Sequence, residues 1–300
     1  MSTIDIVKQF KVKDIAKVKP LRGGLINNTY LVYVNKLDTP QYILQRINNY
    51  VFKDVQRLQN NISKVTRHLR KKLEAQGETD ISQKVLTLIP TLNGKTYYSD
   101  GNSYWRMMLY IPHADQPQMS HDLYYKGGVA IGHFERMLAD FPTKLKPTIL
   151  HFHDIDFRIR EMNNALTNAI IKNHDLNGLG DLYEDLFMSY KYFKPNFDRF
   201  KEMPLRVCHF DTKLSNMLFD DNGNVLCLID LDTVMSGYIT SDYGDFLRTA
   251  ANTTHENDRA YSHVNFDMNV FKSFTQGYLQ EMKGTLTLVE KELLPYSVLL

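Results

Sequence analysis

Hydrophobic positions along the chain follow two patterns, and the change falls near residue 111. Before it, short β-branched and aromatic runs alternate with turn formers. Residues 1–20 carry Ile6, Phe10, Val12, Ile15 and Val18, which predicts a short helix and lead-in ended by Pro20. Gly23-Gly24 and the run through Asn28, Thr29 and Tyr30 to Val34 read as a loop feeding a strand. Tyr42 to Ile47 predicts a second strand, with Tyr42, Leu44 and Arg46 on one face. Val55, Leu58, Ile62, Val65, Leu69 and Leu73 recur at three and four, which predicts an amphipathic helix with a solvated basic face. Val85–Ile89, Lys95–Tyr98 and Ser103–Ile111, separated by turns at Asn93-Gly94 and Asp100-Gly101, complete a small antiparallel sheet.

Beyond residue 111 the chain reads as mainly helical. Val129, Ile131, Phe134, Met137 and Leu138 line one helix; Ile155, Ile159, Met162, Leu166 and Ile170 a second; Leu182, Tyr183, Leu186, Phe187 and Tyr190 a third. These stripes are expected to be core. One hairpin interrupts them. Met217–Phe219 and Val225–Ile229 flank Asp220-Asp221-Asn222-Gly223-Asn224, so facing residue numbers sum to about 445 if the turn centres on Asn-Gly. Asn216 then faces about Ile229 and lies beside Asp230. Further on, Asp242 and Asp245 open a helix, and Val270, Phe271, Phe274 and Tyr278 belong to later helical stretches.

With 300 residues, the chain is long enough for two lobes, taken as 1–111 and 112–300. A net charge of +2 calls for neither nucleic acid nor a membrane surface. No run approaches the ~20 apolar residues of a membrane span, and no signal-peptide pattern opens the chain. Cys208 and Cys227 read as buried, reduced side chains, which suits a cytoplasmic protein. The apolar ending Pro295–Leu300 suggests that the natural protein continues.

The hairpin also brings chemistry together. A carboxylate at Asp230 and an amide oxygen at Asn216 meet at one of its ends, and hard oxygen ligands of this kind suit magnesium. Asp211, just before the first strand, stands near such an ion yet remains free to act as a base. Backbone N–H groups of a turn at Gly23-Gly24 could approach phosphates closely. His151 and His153 near Asp154 and Asp156 raise the question of a metal, but an Asp-rich helix N-terminus is the better reading.

His209-x-Asp211-Thr212-Lys213-x-x-Asn216 is close to the kinase catalytic loop. Together with Ile43-Leu44-Gln45-Arg46-Ile47-Asn48, Ile229-Asp230-Leu231-Asp232-Thr233-Val234-Met235 and Gly244-Asp245-x-x-Arg248, it makes the chain resemble the aminoglycoside phosphotransferase and choline kinase superfamily. The resemblance is closest to its N-acetylhexosamine 1-kinases and covers nearly the whole chain. It implies an α+β, two-lobed, protein-kinase-like fold with a small antiparallel-sheet N-lobe and a mainly helical C-lobe. It also implies ATP as co-substrate, Mg2+ as cofactor, and a small-molecule alcohol, an amino sugar, as acceptor.

By the same resemblance Asp211 is the base, Lys213 reaches the γ-phosphate, and Asn216, Asp230 and Asp232 are the metal set, with Asn216 and Asp230 as the ligands and Asp232 assisting from behind them. Gly23, Gly24, Asn28, Thr29, Arg46, Tyr110 and Ile111 are the nucleotide-binding set. His209 braces the loop; Asp245 braces it too, while Asp242 is expected to cap its helix. One departure stands out: the helix of residues 55–73 has no interior Glu to pair with a strand cation. The family also runs longer at the C-terminus. Kinases of choline, homoserine, another sugar or an aminoglycoside are the alternatives, as is a non-catalytic pseudokinase. A protein kinase is disfavoured, because only about a dozen residues separate Asp230 from Asp242.

Overall fold

The computed structural model describes residues 2–21, 26–35, 37–254 and 263–299. Gly23, Gly24 and Leu300 lie outside the described residues.

The N-lobe opens with α1 (Thr3–Val7), closed by a capping box between Ser2 and Asp5. β1 (Ile15–Leu21), β2 (Asn28–Val34) and β3 (Tyr42–Ile47) follow as an antiparallel meander. The lead-in expected before Pro20 is thus a strand containing it. Proline is accepted there because β1 is an edge strand in the sheet order β1-β2-β3-β6-β4, so its missing N–H costs the ladder nothing. Two short strands, β4 (Leu88–Ile89) and β5 (Tyr98–Ser99), pair with β6 (Tyr104–Leu109). Val85 and Leu86, expected in a strand, are buried outside it. α1 and the turn after it cover one sheet face through Ile6, Val7 and Phe10 against Val32, Leu44, Trp105 and Met107.

The long helix α2 (Val55–Ala75) covers the other face, capped by Asp54. Its apolar stripe also packs on Phe134, Met137, Leu145, Val207, Cys227 and Val234. Asn61 anchors it by donating to Lys146 O at 2.8 Å and Val234 O at 3.0 Å. One core therefore runs through α2 from the sheet into the helical part, and α2 is fixed to both. α3 (Ile81–Lys84) links α2 to β4.

The chain crosses through Tyr110 and Ile111 to α4 (His121–Met137), α5 (Ile155–Ile171) and α6 (Gly180–Asp198). β7 (Arg206–Cys208) pairs with β10 (Met235–Gly237), and β8 (Met217–Phe219) with β9 (Val225–Leu228). α7 (Thr240–Ala250), α8 (Met268–Glu281) and α9 (Leu288–Leu293) complete the lobe. Its core joins α4, α7 and α8 around Ile131, Phe246, Phe274 and Tyr278. Glycines set the α4–α8 distance: a Cβ on Gly128 would stand 2.2 Å from Phe274 O, and one on Gly277 2.1 Å from Tyr125 O.

The apolar stripes of α5 and α6 are less buried than expected. Ile159 and Phe197 are buried, but Ile170, Leu182 and Leu186 are exposed. The two helices are tied together by hydrogen bonds from Tyr183 Oη to Asn163 Oδ1 at 2.9 Å and from Tyr190 Oη to Asp156 Oδ1 at 2.8 Å, while Tyr190, Phe193 and Phe197 pack on Phe200, Leu293 and Tyr296. Among the described residues no helix is long and apolar enough to cross a membrane. The architecture is the α+β, two-lobed, protein-kinase-like one that the motifs imply.

Candidate active site

Asn-Gly turn chemistry sets the register of the β8–β9 hairpin. Met217 faces Leu228 and Leu218 faces Cys227, each pair adding to 445, before a bulge moves Phe219 opposite Val225. Ile229 N donates to Asn216 O at 2.9 Å. Asn216 and Asp230 therefore stand side by side at the open end of the hairpin.

Asp211 lies on the loop between β7 and β8. Its Oδ2 accepts from Lys213 Nζ at 2.9 Å and from Asn216 Nδ2 at 2.8 Å. Oδ1 accepts no protein donor among the described residues. Asn216 uses its amide N–H2 on Asp211, so its amide oxygen is left to face outward.

Two carboxylates on α7 hold the loop. Asp242 accepts the backbone N–H groups of His209 and Phe210, both at 2.7 Å. Asp245 accepts Thr212 N at 2.8 Å. Asp242 thus braces the loop and does not cap α7, whose first turn has no side-chain cap. His209 receives Asp211 N–H on Nδ1 and lies 2.9 Å through Nε2 from Ile229 O, which puts the ring proton on Nε2. It locks loop to hairpin. Phe210 takes a left-handed φ of 66°, and Gly237 of β10 leaves room for its ring: a Cβ there would stand 2.3 Å from the ring.

Asp230 also adopts a left-handed backbone, at φ 59°. Burial, then the neighbouring charges of Asp232 and Asp211, push its carboxyl up to about 6, against the opposing pull of Arg106 and Lys213. No hydrogen-bond donor among the described residues reaches it. A buried carboxylate without a donor, beside a free amide oxygen, fits a hard divalent cation such as magnesium. Among the described residues no cluster of three or more His, Cys, Asp or Glu could hold a metal, so further ligands would come from phosphate and water.

Asp232 does not belong to that pair. It is buried, and both its oxygens are taken by nitrogen donors: Oδ1 by Arg106 in an ion pair, Oδ2 by Asn27 Nδ2 at 2.7 Å. Both oxygens are engaged in holding Arg106 and Asn27, which leaves Asn216 and Asp230 as the better placed candidate ligands.

A cavity of about 530 Å³ lies between sheet and hairpin, lined in part by Thr29, Gln45, Arg106, Tyr110, Ile111 and Asp230. Asn28 and Arg46 are not part of it. Arg46 is exposed, shares the α1 face of the sheet with Leu44, and donates to Ser103 Oγ at 2.9 Å. In a pleated strand its neighbour Gln45 points the other way. Gln45 Oε1 accepts from Arg106 Nε at 2.8 Å, so the cation that the sheet presents to the cleft is Arg106. Arg106 had a sequence signal, a charge inside the apolar run Trp105–Leu109, which demands a buried partner.

Beyond Asp211, His153 stacks on Phe152 with ring centroids 4.6 Å apart and meets Phe210 edge-on at 5.1 Å. Its ring nitrogens have no hydrogen-bond partner among the described residues. Burial holds its pKa below the usual imidazole value, and the charges around it are mixed: Asp245 and Asp211 against Arg248 and Arg158. His151 and Asp154 pair with each other at 2.8 Å, and Asp154 caps α5, as the helix-start reading requires. Both thiols are buried and unbridged, and burial raises their pKa, to about 12 at Cys227.

Comparison with known proteins gives one family. The profile of the phosphotransferase enzyme family (APH) matches residues 17–280. Among solved structures, an aminoglycoside phosphotransferase from Alicyclobacillus acidocaldarius superposes with a TM-score of 0.63 at 14% identity, covering 99% of this chain and 82% of that one. APH(2")-IIa, solved as a ternary complex with streptomycin and ATP, gives 0.53 at 17%, covering 98% and 84%. Amicoumacin kinase hAmiN, in complex with AMP-PNP, Ca2+ and its ligand, gives 0.53 at 12%, covering 99% and 84%.

Proposed function

The chain belongs to the phosphotransferase enzyme family, and from that premise we propose that it transfers the γ-phosphoryl group of ATP to the anomeric hydroxyl of an N-acetylhexosamine. The observation that carries the transfer chemistry is the pairing at Asp211. Lys213 and Asn216 saturate its Oδ2 and leave Oδ1 open beside the cleft.

In this reading Oδ1 orients the acceptor hydroxyl and takes its proton. The hydroxyl oxygen bonds to the γ-phosphorus while the bond from that phosphorus to the β–γ bridging oxygen breaks, releasing ADP. Asn216 and Asp230 would hold a magnesium ion, whose chemistry when bound is to neutralise charge on the phosphate oxygens. Lys213, which pairs with Asp211 at 2.9 Å, would meet the γ-phosphate. Asp242, Asp245 and His209 fix the loop so that little reorganisation accompanies transfer. The crossing at Tyr110 and Ile111 offers backbone groups to the adenine.

The acceptor side favours a neutral polar ring. The plate of Phe152, His153 and Phe210 presents aromatic faces and one unpartnered neutral imidazole, a combination that suits the apolar face and hydroxyls of a sugar. The mixed charges around it give a polycation no acidic bed. ADP release is to be measured with magnesium and ATP across N-acetylglucosamine, N-acetylgalactosamine, glucose, choline, homoserine and an aminoglycoside, with Asp211→Asn as control. Turnover on the acetylated hexosamines, lost in the control, is the expected result. Turnover confined to another acceptor would replace the substrate, and none on any acceptor with ATP bound would favour a pseudokinase.

A further inference from the structure

Protein kinases hold the nucleotide's phosphates with a lysine on a sheet strand, itself held by a glutamate from the long helix of the N-lobe. This chain has neither partner in those places. The cleft-facing residue of β3 is Gln45, and α2 offers no interior carboxylate; its single Glu, Glu74, is exposed at the last residue but one.

We propose that Arg106 and Asp232 have taken over that pair: Arg106 binds the phosphates of the nucleotide, and Asp232 is the positioning residue that holds it. The cation comes from β6, the strand next to β3, where Arg106 faces Gln45 across the ladder. Its guanidinium is fixed on two sides, Nε by Gln45 Oε1 and Nη1 by Asp232 Oδ1. Nη2 has no hydrogen-bond partner among the described residues and belongs to a side chain that lines the cleft. A planar fork held by two edges with the third directed at a cavity suits the oxygens of a phosphate.

The carboxylate comes from the C-lobe, two residues after Asp230, and not from a helix. Asp232 therefore does more than the helix glutamate. Through Oδ2 it also accepts from Asn27, whose own Oδ1 takes Asn48 N at 2.9 Å. One side chain thus links the metal-side turn, the phosphate-binding arginine and the residue that leads into β2. Because α2 is anchored to both lobes and carries no partner for the cation, moving α2 cannot break the pair, as it can in kinases that switch by displacing that helix.

This inference rests on reading the cleft as a nucleotide site, and binding tests it without reference to the acceptor. Affinities for ATP and for adenosine are to be measured by calorimetry for the wild type, Arg106→Met, Arg106→Lys, Asp232→Asn and Arg46→Ala. Thermal unfolding would confirm that each variant folds. Arg106→Met should lose roughly 10- to 100-fold in ATP affinity, the worth of one to two charge-assisted hydrogen bonds, and keep its adenosine affinity. Arg106→Lys should restore part of the ATP affinity, Asp232→Asn should weaken ATP more than adenosine, and Arg46→Ala should match the wild type. An arginine with only a structural role would lose ATP and adenosine together, and that result would overturn the proposal. So would a loss of ATP affinity in Arg46→Ala with none in Arg106→Met. A wild type that binds ATP but phosphorylates no acetylated hexosamine would remove the acceptor assignment alone.

Discussion

Asp242 accepts the backbone N–H of Phe210 at 2.7 Å while Phe210 sits in the left-handed region at φ 66°. A buried carboxylate thus holds an uncommon backbone turn one residue before the proposed base. Burial pushes Asp242 up to about 6, although its two N–H donors and His209 favour the charged form. A carboxyl whose pKa is raised by folding contributes stability below its ordinary value near 4, and that contribution is lost as pH rises through about 6. Asp242→Asn removes this titration. Denaturant unfolding between pH 4 and 7 should show the wild type losing up to about 3 kcal/mol more than the variant, while the variant's kcat falls because the loop is held less firmly.

Asp230→Asn should raise stability and lower turnover. The wild-type carboxylate is buried with no donor among the described residues, and asparagine accepts a left-handed backbone as readily as aspartate. A gain of about 1–3 kcal/mol at pH 7 is expected from removing the buried charge, together with a large fall in kcat at saturating magnesium. A loss of stability in the metal-free protein would contradict this account of the site.

Asp211→Asn should lower kcat by roughly 10²- to 10⁴-fold, the usual worth of a positioned base. The KM for ATP should change little, since the cavity proposed for the nucleotide is lined by other side chains. Initial-rate kinetics on the best acceptor of the panel checks both numbers.

His153→Phe keeps the stacked plate and removes the ring nitrogens. It should raise the acceptor KM roughly tenfold, the value of one hydrogen bond to a neutral group, and leave the ATP KM and melting temperature unchanged. Equal acceptor KM values in both proteins would show that the imidazole does not touch the acceptor.

Two glycines should separate folding from catalysis. At Gly128 a Cβ meets backbone, Phe274 O at 2.2 Å, so Gly128→Ala should cost about 1–3 kcal/mol in unfolding experiments and leave kcat intact where the protein is folded. At Gly237 the Cβ meets the Phe210 ring at 2.3 Å, so Gly237→Ala should displace the loop and lower kcat.

What the sequence by itself determined is local. The Asn-Gly turn set the hairpin register because turn type and strand twist constrain only neighbouring residues, and that register brought Asn216 beside Asp230. The spacing of His209, Asp211 and Asn216 likewise carried the loop, and the three-and-four pattern carried α2. The tertiary structure decided what depends on faces and distant partners. A pleated strand sends adjacent residues to opposite sides, so whether Arg46 or Gln45 faces the cleft turns on one residue of register that propensity cannot weigh. Proline in β1 is acceptable only because the fold leaves that strand at an edge. Asp232 reads in sequence as one more metal carboxylate, yet Arg106 and Asn27, 126 and 205 residues away, occupy both its oxygens. A carboxylate's role is set by which partner reaches it first, and for buried groups that partner is chosen by packing.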